Sequence, residues 1–217
     1  MPPHVWSALF LAVLVTTSAA QDRPLPKVVL IGDSIRLGYA PFVAKLLAGK
    51  ASVVSPAPNG EDSSNVLRNL DEWVVREQPD VVHINAGLHD LKLKNDTYQV
   101  PVAEYEKNLN TILARLEKET KAKVIFATTT PIVDALHAQR KAGFDRRETD
   151  VQRYNRAAVT IMKASRVPVT DLHEVVARAG KNTLIGGDGT HYTPQGYQVL
   201  AAAVADSIIR RLAQPPE

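Results

Sequence analysis

The chain contains no cysteine. That absence excludes a disulfide framework, a thiolate nucleophile and a thiolate-held metal, so the fold has to be held by its core. Long apolar runs are missing beyond the N-terminus, and the one near it, residues 5–15, is too short to cross a bilayer as a helix with flanks. Positive charge exceeds negative by only three, and no run of Lys and Arg forms a stripe, so nucleic acid is not an expected partner. No internal repeat, low-complexity tract or linker divides the sequence.

What is present is an ordinary globular composition, with 45% hydrophobic and 23% charged residues. The N-terminus stands apart. Residues 1–20 read as a secretory signal peptide, because the apolar run is followed by Thr16-Thr17-Ser18-Ala19-Ala20, small residues suited to cleavage after Ala20. The opening residues, Met1-Pro2-Pro3-His4, carry no Lys or Arg, and the alternative is a buried or membrane-tethering N-terminal helix. Export predicts that residues 21–217 form one domain in a bacterial periplasm or medium. No Cys follows the apolar run, so no stable membrane anchor is expected.

Apolar strand-like runs alternate with helical patterns, which predicts parallel α/β architecture. Strands are expected at 28–31, 52–54, 80–85, 123–128 and 167–169. Helical spacing covers 39–47, 62–77, 102–120 and 194–212, with Pro194 suited to a first turn. Residues 131–149 are polar, basic and unpatterned. In open α/β sheets, ligands bind beyond the carboxyl ends of the strands, so the loops following the strands can line one cleft.

Two motifs carry chemistry. Gly32-Asp33-Ser34-Ile35 follows the first strand, and Asp188-Gly189-Thr190-His191 lies near the other end of the chain. A serine hydroxyl becomes a nucleophile when a base takes its proton, and at a strand-to-helix turn it has helix N–H groups beside it for an oxyanion. His191 suits the base, with Asp188 fixing its tautomer. Each motif alone has a plainer reading: Ser34 as a helix cap and 186–189 as a surface turn. Asp33 reads as a turn residue, Trp73 as core, and His83 as a strand residue facing a helix layer rather than a metal ligand.

With these motifs the chain resembles the SGNH, or GDSL-type, esterase and lipase family over essentially all of residues 28–217. Gly32-Asp33-Ser34-Ile35 is similar to the first family block. Asn59-Gly60 resembles the block whose glycine N–H serves the oxyanion hole, and Asp188-x-x-His191 resembles the last. The third block, Gly-x-Asn-Asp in the family, reads Gly87-Leu88-His89-Asp90, so His89 stands where the oxyanion asparagine is expected. A neutral imidazole still donates one N–H, with Asn85 or Asn59 as alternative amides and a packing or capping role for His89 as the plainer reading.

The resemblance implies a three-layer α/β/α, flavodoxin-like sandwich of about five parallel strands. It also implies a serine esterase needing neither metal nor other cofactor, with catalytic Ser34, Asp188 and His191 and an oxyanion site drawn from Gly60, His89, Asn59 and Asn85. Polar loops and the lack of an apolar lid insertion favour short acyl esters, acetyl above all, on a carbohydrate or other small molecule. A thioesterase or lysophospholipase, or a non-catalytic carbohydrate-binding relative, are the rival readings.

Overall fold

The computed structural model describes residue 1 and residues 24–215; the expected signal peptide lies, Met1 aside, outside the described residues. The central sheet contains β1 (Lys27–Ile31), β2 (Ser52–Val54), β3 (Val81–Asn85), β6 (Lys123–Ala127) and β7 (Val169–Thr170), all parallel, in the order β2-β1-β3-β6-β7. A separate antiparallel hairpin joins β4 (Leu93–Lys94) to β5 (Thr97–Tyr98) through Asn95 and Asp96, both at positive φ. All of β3 and residues 28–31 of β1 are buried, which is why both strands are apolar runs rather than alternating patterns.

Helices cover the sheet in two groups. Helix α1 (Ser34–Leu46) packs on α7 (Pro194–Ala213), which also meets α6 (Leu172–Leu184). On the other side α3 (Val102–Glu119) packs on α2 (Ser63–Arg68) and α5 (Glu148–Ala164); a short α4 (Asp134–Gln139) precedes α5. Right-handed crossovers account for the split. The chain moves one way from β1 to β2 and the other way from β3 through β7, so the two sets of connecting helices fall on opposite faces. The result is the expected three-layer α/β/α sandwich. In α3 the buried Tyr105, Leu109, Ile112 and Leu116 recur at helical spacing, and each such leucine stabilises the fold by about 1.5–3 kcal/mol relative to exposure.

The structure departs from the expected elements in physically readable ways. α1 begins at Ser34, well before Tyr39, because Asp33 caps it by accepting the Ile35 N–H at 2.8 Å. The helix expected over 62–77 breaks after Arg68: the Asn69 amide donates to the Asn65 carbonyl, and a π-helical turn follows at Asp71–Val75. The last strand is displaced to Val169–Thr170, since Pro168 has no N–H for the ladder and only its carbonyl pairs, with Phe126. Helices α5 and α6 were not anticipated. Buried Asp150 and Asn155 interrupt the apolar stripe of α5, and Gly180 at φ 104° kinks α6.

Strand order reverses between β1 and β3, and the loops leaving these two strands carry Ser34 and His89. That switch point is where such sheets bind ligands.

Candidate active site

Ser34 is the first residue of α1, directly after β1. Its Oγ lies 2.9 Å from His191 Nε2, and His191 Nδ1 lies 2.6 Å from Asp188 Oδ2. The carboxylate can only accept, so Nδ1 carries the proton and Nε2 faces the serine hydroxyl as an acceptor. Asp188 also accepts the backbone N–H groups of Thr190 at 2.9 Å and His191 at 2.8 Å through Oδ1. Partial burial works to raise its pKa, but these hydrogen bonds and the His191 ring outweigh it and hold the carboxyl at about 2. Arg140 stands 3.5 Å from the same oxygen that meets the His191 ring.

The loop bearing Asp188 is braced from below. Val133 N–H donates to the Gly189 carbonyl at 2.8 Å, and Thr190 Oγ1 lies 3.2 Å from His137 Nδ1. Gly189 sits at φ 71°, and a Cβ there would come within 2.6 Å of His137 N and Val133 O. Only glycine fits that close approach. The unpatterned 131–149 segment therefore supports the acid–base loop through α4. Its far end is tied to the β4 strand by reciprocal Leu93–Asp145 backbone hydrogen bonds of 2.9 and 2.8 Å.

In the loop after β3, half-buried His89 has Lys92 Nζ 2.9 Å from its Nδ1. An ammonium has no acceptor, so Lys92 donates, Nδ1 accepts, and the ring proton is left on Nε2. Burial, then the charges of Lys92 and Arg146, push the His89 pKa down to about 3. The imidazole is thus a neutral single donor at ordinary pH. The next residue, Asp90, is buried, accepts the Ser63 N–H and hydroxyl, and anchors this loop to α2. Burial raises the Asp90 carboxyl to about 7 against those hydrogen bonds.

Two expected oxyanion donors, the Gly60 N–H and the Asn85 amide, are engaged elsewhere, and Asn59 is held through its oxygen. The Gly60 N–H donates to the Gly32 carbonyl at 2.9 Å, and a Cβ on Gly60 would lie 2.5 Å from that oxygen. Asn59 Oδ1 accepts the Glu61 N–H at 2.8 Å, forming a tight local turn. Buried Asn85 donates to the carbonyls of Ala127 at 3.0 Å and Thr128 at 3.2 Å, which uses both amide protons. The Ser34 N–H, at the first turn of α1, and the His89 Nε2–H are left without a hydrogen-bond partner among the described residues.

Sequence reasoning passed over Arg36. It is 1% exposed, and its guanidinium donates to the carbonyls of Gly32, Pro56 and Pro58 and to the Ser55 hydroxyl. One side chain thereby fastens the loop after β2 to the nucleophile turn. Lys92 and Arg146 also escaped notice. The spacing of Lys92, three residues beyond His89, was the available signal. Asp33 is fully buried with Oδ2 unpartnered among the described residues, and burial raises its pKa. Buried His83 is held neutral in the same way, its pKa down at about 3.

A parallel α/β/α sandwich with a serine, histidine and aspartate in line at its switch point defines a hydrolase-like class. Residues 30–199 match the GDSL-like Lipase/Acylhydrolase family, and the chain belongs to that family of hydrolases acting on esters. Among solved structures it is similar to a lipase/acylhydrolase from Enterococcus faecalis, at 25% identity and a TM-score of 0.73, over 89% of this chain and 99% of that one. The acetyl xylan esterase AlAXEase aligns at 18% identity and a TM-score of 0.69, over 84% and 99%. Axe2, an acetylxylan esterase from Geobacillus stearothermophilus, aligns at 20% identity and a TM-score of 0.66, over 88% and 95%. No curated protein matches the chain.

Proposed function

We propose that the protein is an exported serine esterase that removes short acyl groups, acetyl foremost, from hydroxyl-rich small molecules or carbohydrates. The observation that carries this reading is the unbroken line from Ser34 Oγ to His191 Nε2 at 2.9 Å and from His191 Nδ1 to Asp188 at 2.6 Å. Further support comes from two catalytic mutants of Axe2, which replace an aspartate and a histidine three positions apart, the spacing of Asp188 and His191. Export rests on the apolar segment in residues 1–20, and residues 21–217 form the working domain.

In the reaction His191 Nε2 takes the Ser34 proton as Oγ adds to the ester carbonyl. The carbonyl oxygen becomes an oxyanion, which accepts from the Ser34 N–H and from His89 Nε2–H. Asp188 stabilises the imidazolium. When the C–O bond breaks, His191 returns the proton to the leaving alcohol and an acyl-serine remains. Water, deprotonated by the same ring, adds to the acyl carbon; the carboxylic acid leaves and Ser34 regains its proton. No metal or other cofactor enters the cycle.

Hydrolysis of p-nitrophenyl acetate against longer acyl esters tests this directly. Wild type turns over acetate fastest, and Ser34→Ala lowers the rate by about 10⁴-fold or more. A fluorophosphonate labels wild type and not Ser34→Ala. Wild type and Ser34→Ala indistinguishable from buffer on every ester, with no labelling, would refute the reading.

A further inference from the structure

The His89 flank holds more hydrogen-bond donors than the protein satisfies. Arg146 is only 5% exposed, yet its one hydrogen bond runs from Nε to the Leu88 carbonyl at 2.8 Å. Neither terminal nitrogen of its guanidinium has a protein partner among the described residues, and no carboxylate there lies within ion-pairing distance of it. Lys92 spends one of its three N–H bonds on His89 and likewise forms no ion pair among the described residues. Both cations rest on one ring: Lys92 Nζ is 5.1 Å and Arg146 Cζ 5.0 Å from the Phe144 centroid.

No acid near them forms an ion pair with either cation among the described residues. Asp33 caps α1, Asp188 receives His191 and Thr190, and Asp62 accepts from the Asn65 N–H and from Gln99. Burial, with a smaller contribution from Arg140, pushes the Arg146 guanidinium down to about 10 against the raising charges of Asp33 and Asp188; Arg146 in turn lowers Lys92, and both cations lower His89. A largely buried guanidinium whose terminal nitrogens have no protein partner among the described residues, and on which Asp33 and Asp188 act only through their charge, is stabilised when an anion completes it. A carboxylate or phosphate supplies the paired oxygens that its two open edges fit. Beside this cluster, a cavity of about 490 Å³ lined by Lys92, Phe144, Lys94, Thr97 and Gln99 has space for a sugar-sized group, and Arg146 borders it through the Phe144 ring.

We propose that this site selects anionic esters, whose non-reacting portion carries a carboxylate or a phosphate held by Arg146 and Lys92. The ester part of this inference rests on the serine-esterase reading; the anion site does not.

Acetate release is to be measured for acetylated glucose, acetylated glucuronate and acetylated glucose 6-phosphate. Wild type should favour at least one anionic sugar in kcat/KM by about 10- to 100-fold, the worth of one charge-assisted hydrogen bond. In Arg146→Met that ratio should fall to near unity, and because it is a ratio it is unaffected by the amount of folded enzyme. Equal rates on all three sugars in wild type overturn the proposal. So does an Arg146→Met loss that is the same for neutral and anionic esters, which would make Arg146 a support for the common ester centre. The carboxylate and phosphate arms identify which anion fits. Calorimetry on Ser34→Ala, with glucuronate, glucose 6-phosphate and glucose, separates the two readings. Arg146-dependent binding of an anionic sugar without turnover of any ester keeps the anion site and removes the esterase, whereas turnover without anion preference does the reverse.

Discussion

The two flanks of Ser34 have opposite hydrogen-bonding character. On the Asp188 side, acceptors are fully used: one carboxylate receives the His191 ring, two backbone N–H groups and a nearby guanidinium. On the His89 side, donors are in surplus: His89, Lys92 and Arg146 cluster with one carbonyl and one ring nitrogen as their recorded acceptors. The first arrangement suits a group that must gain a proton, since imidazolium is stabilised beside a satisfied carboxylate. The second suits a place where negative charge develops or docks, because donors are already oriented and need no reorganisation. In the proposed reaction the serine works between a proton sink and an anion sink.

Breaking the acceptor flank should have the largest effect. Asp188→Asn leaves the shape but offers an amide where His191 needs a carboxylate, and kcat on p-nitrophenyl acetate should fall by about 10⁴-fold. A loss under tenfold would remove Asp188 from the proton-transfer line. On the donor flank His89→Ala should cost about 10²- to 10³-fold in kcat with little change in KM. Lys92→Met should cost about tenfold, as expected for a group that orients a functional imidazole from behind, and Lys92→Arg should restore most of it. Nitrogen NMR of His89 should report the Nε2–H tautomer in wild type and a tautomer mixture in Lys92→Met. An unchanged spectrum would leave Lys92 without a positioning role.

The smallest expected effect concerns stability. The Asp90 carboxyl sits at about 7 in the fold against 3.8 for an unperturbed aspartate. Between those values the folded chain holds a proton that the unfolded chain has lost, so the contribution of Asp90 is full below pH 4 and declines as pH rises to 7. Asp188, held at about 2, contributes in the opposite sense: its stabilisation is present above 3.8 and is lost as pH falls toward 2. Melting temperatures of wild type and Asp90→Asn from pH 4 to 8 should converge or cross as the wild-type curve declines relative to the variant. Parallel curves would show that Asp90 is ionised throughout the folded state.

Ser34, Asp188 and His191 were legible because each belongs to a short, spaced motif next to a strand or a Gly-rich turn. His89 was legible for the same reason, as a departure from a pattern. The remaining oxyanion candidates were not decided by such spacing. Gly60, Asn59 and Asn85 each occupy suitable positions along the chain, yet in the fold the Gly60 N–H and the Asn85 amide donate to backbone carbonyls, and Asn59 accepts a backbone N–H through Oδ1. Sequence distance identifies which donors lie near a strand end but says nothing of which acceptor reaches them first.

The sequence by itself determined the layered α/β architecture, through buried apolar strands between amphipathic helices, and singled out through local motifs the serine, histidine and aspartate that the fold brings together. Tertiary structure alone decided the tautomer of His89 and left the terminal nitrogens of Arg146 without a protein partner among the described residues. It also turned residues 131–149 into a brace for Asp188, through contacts between residues distant in the chain. The reason is physical: strands and helices follow from periodicity within one segment, whereas protonation and hydrogen-bond satisfaction depend on which groups from separate segments share the same few ångströms.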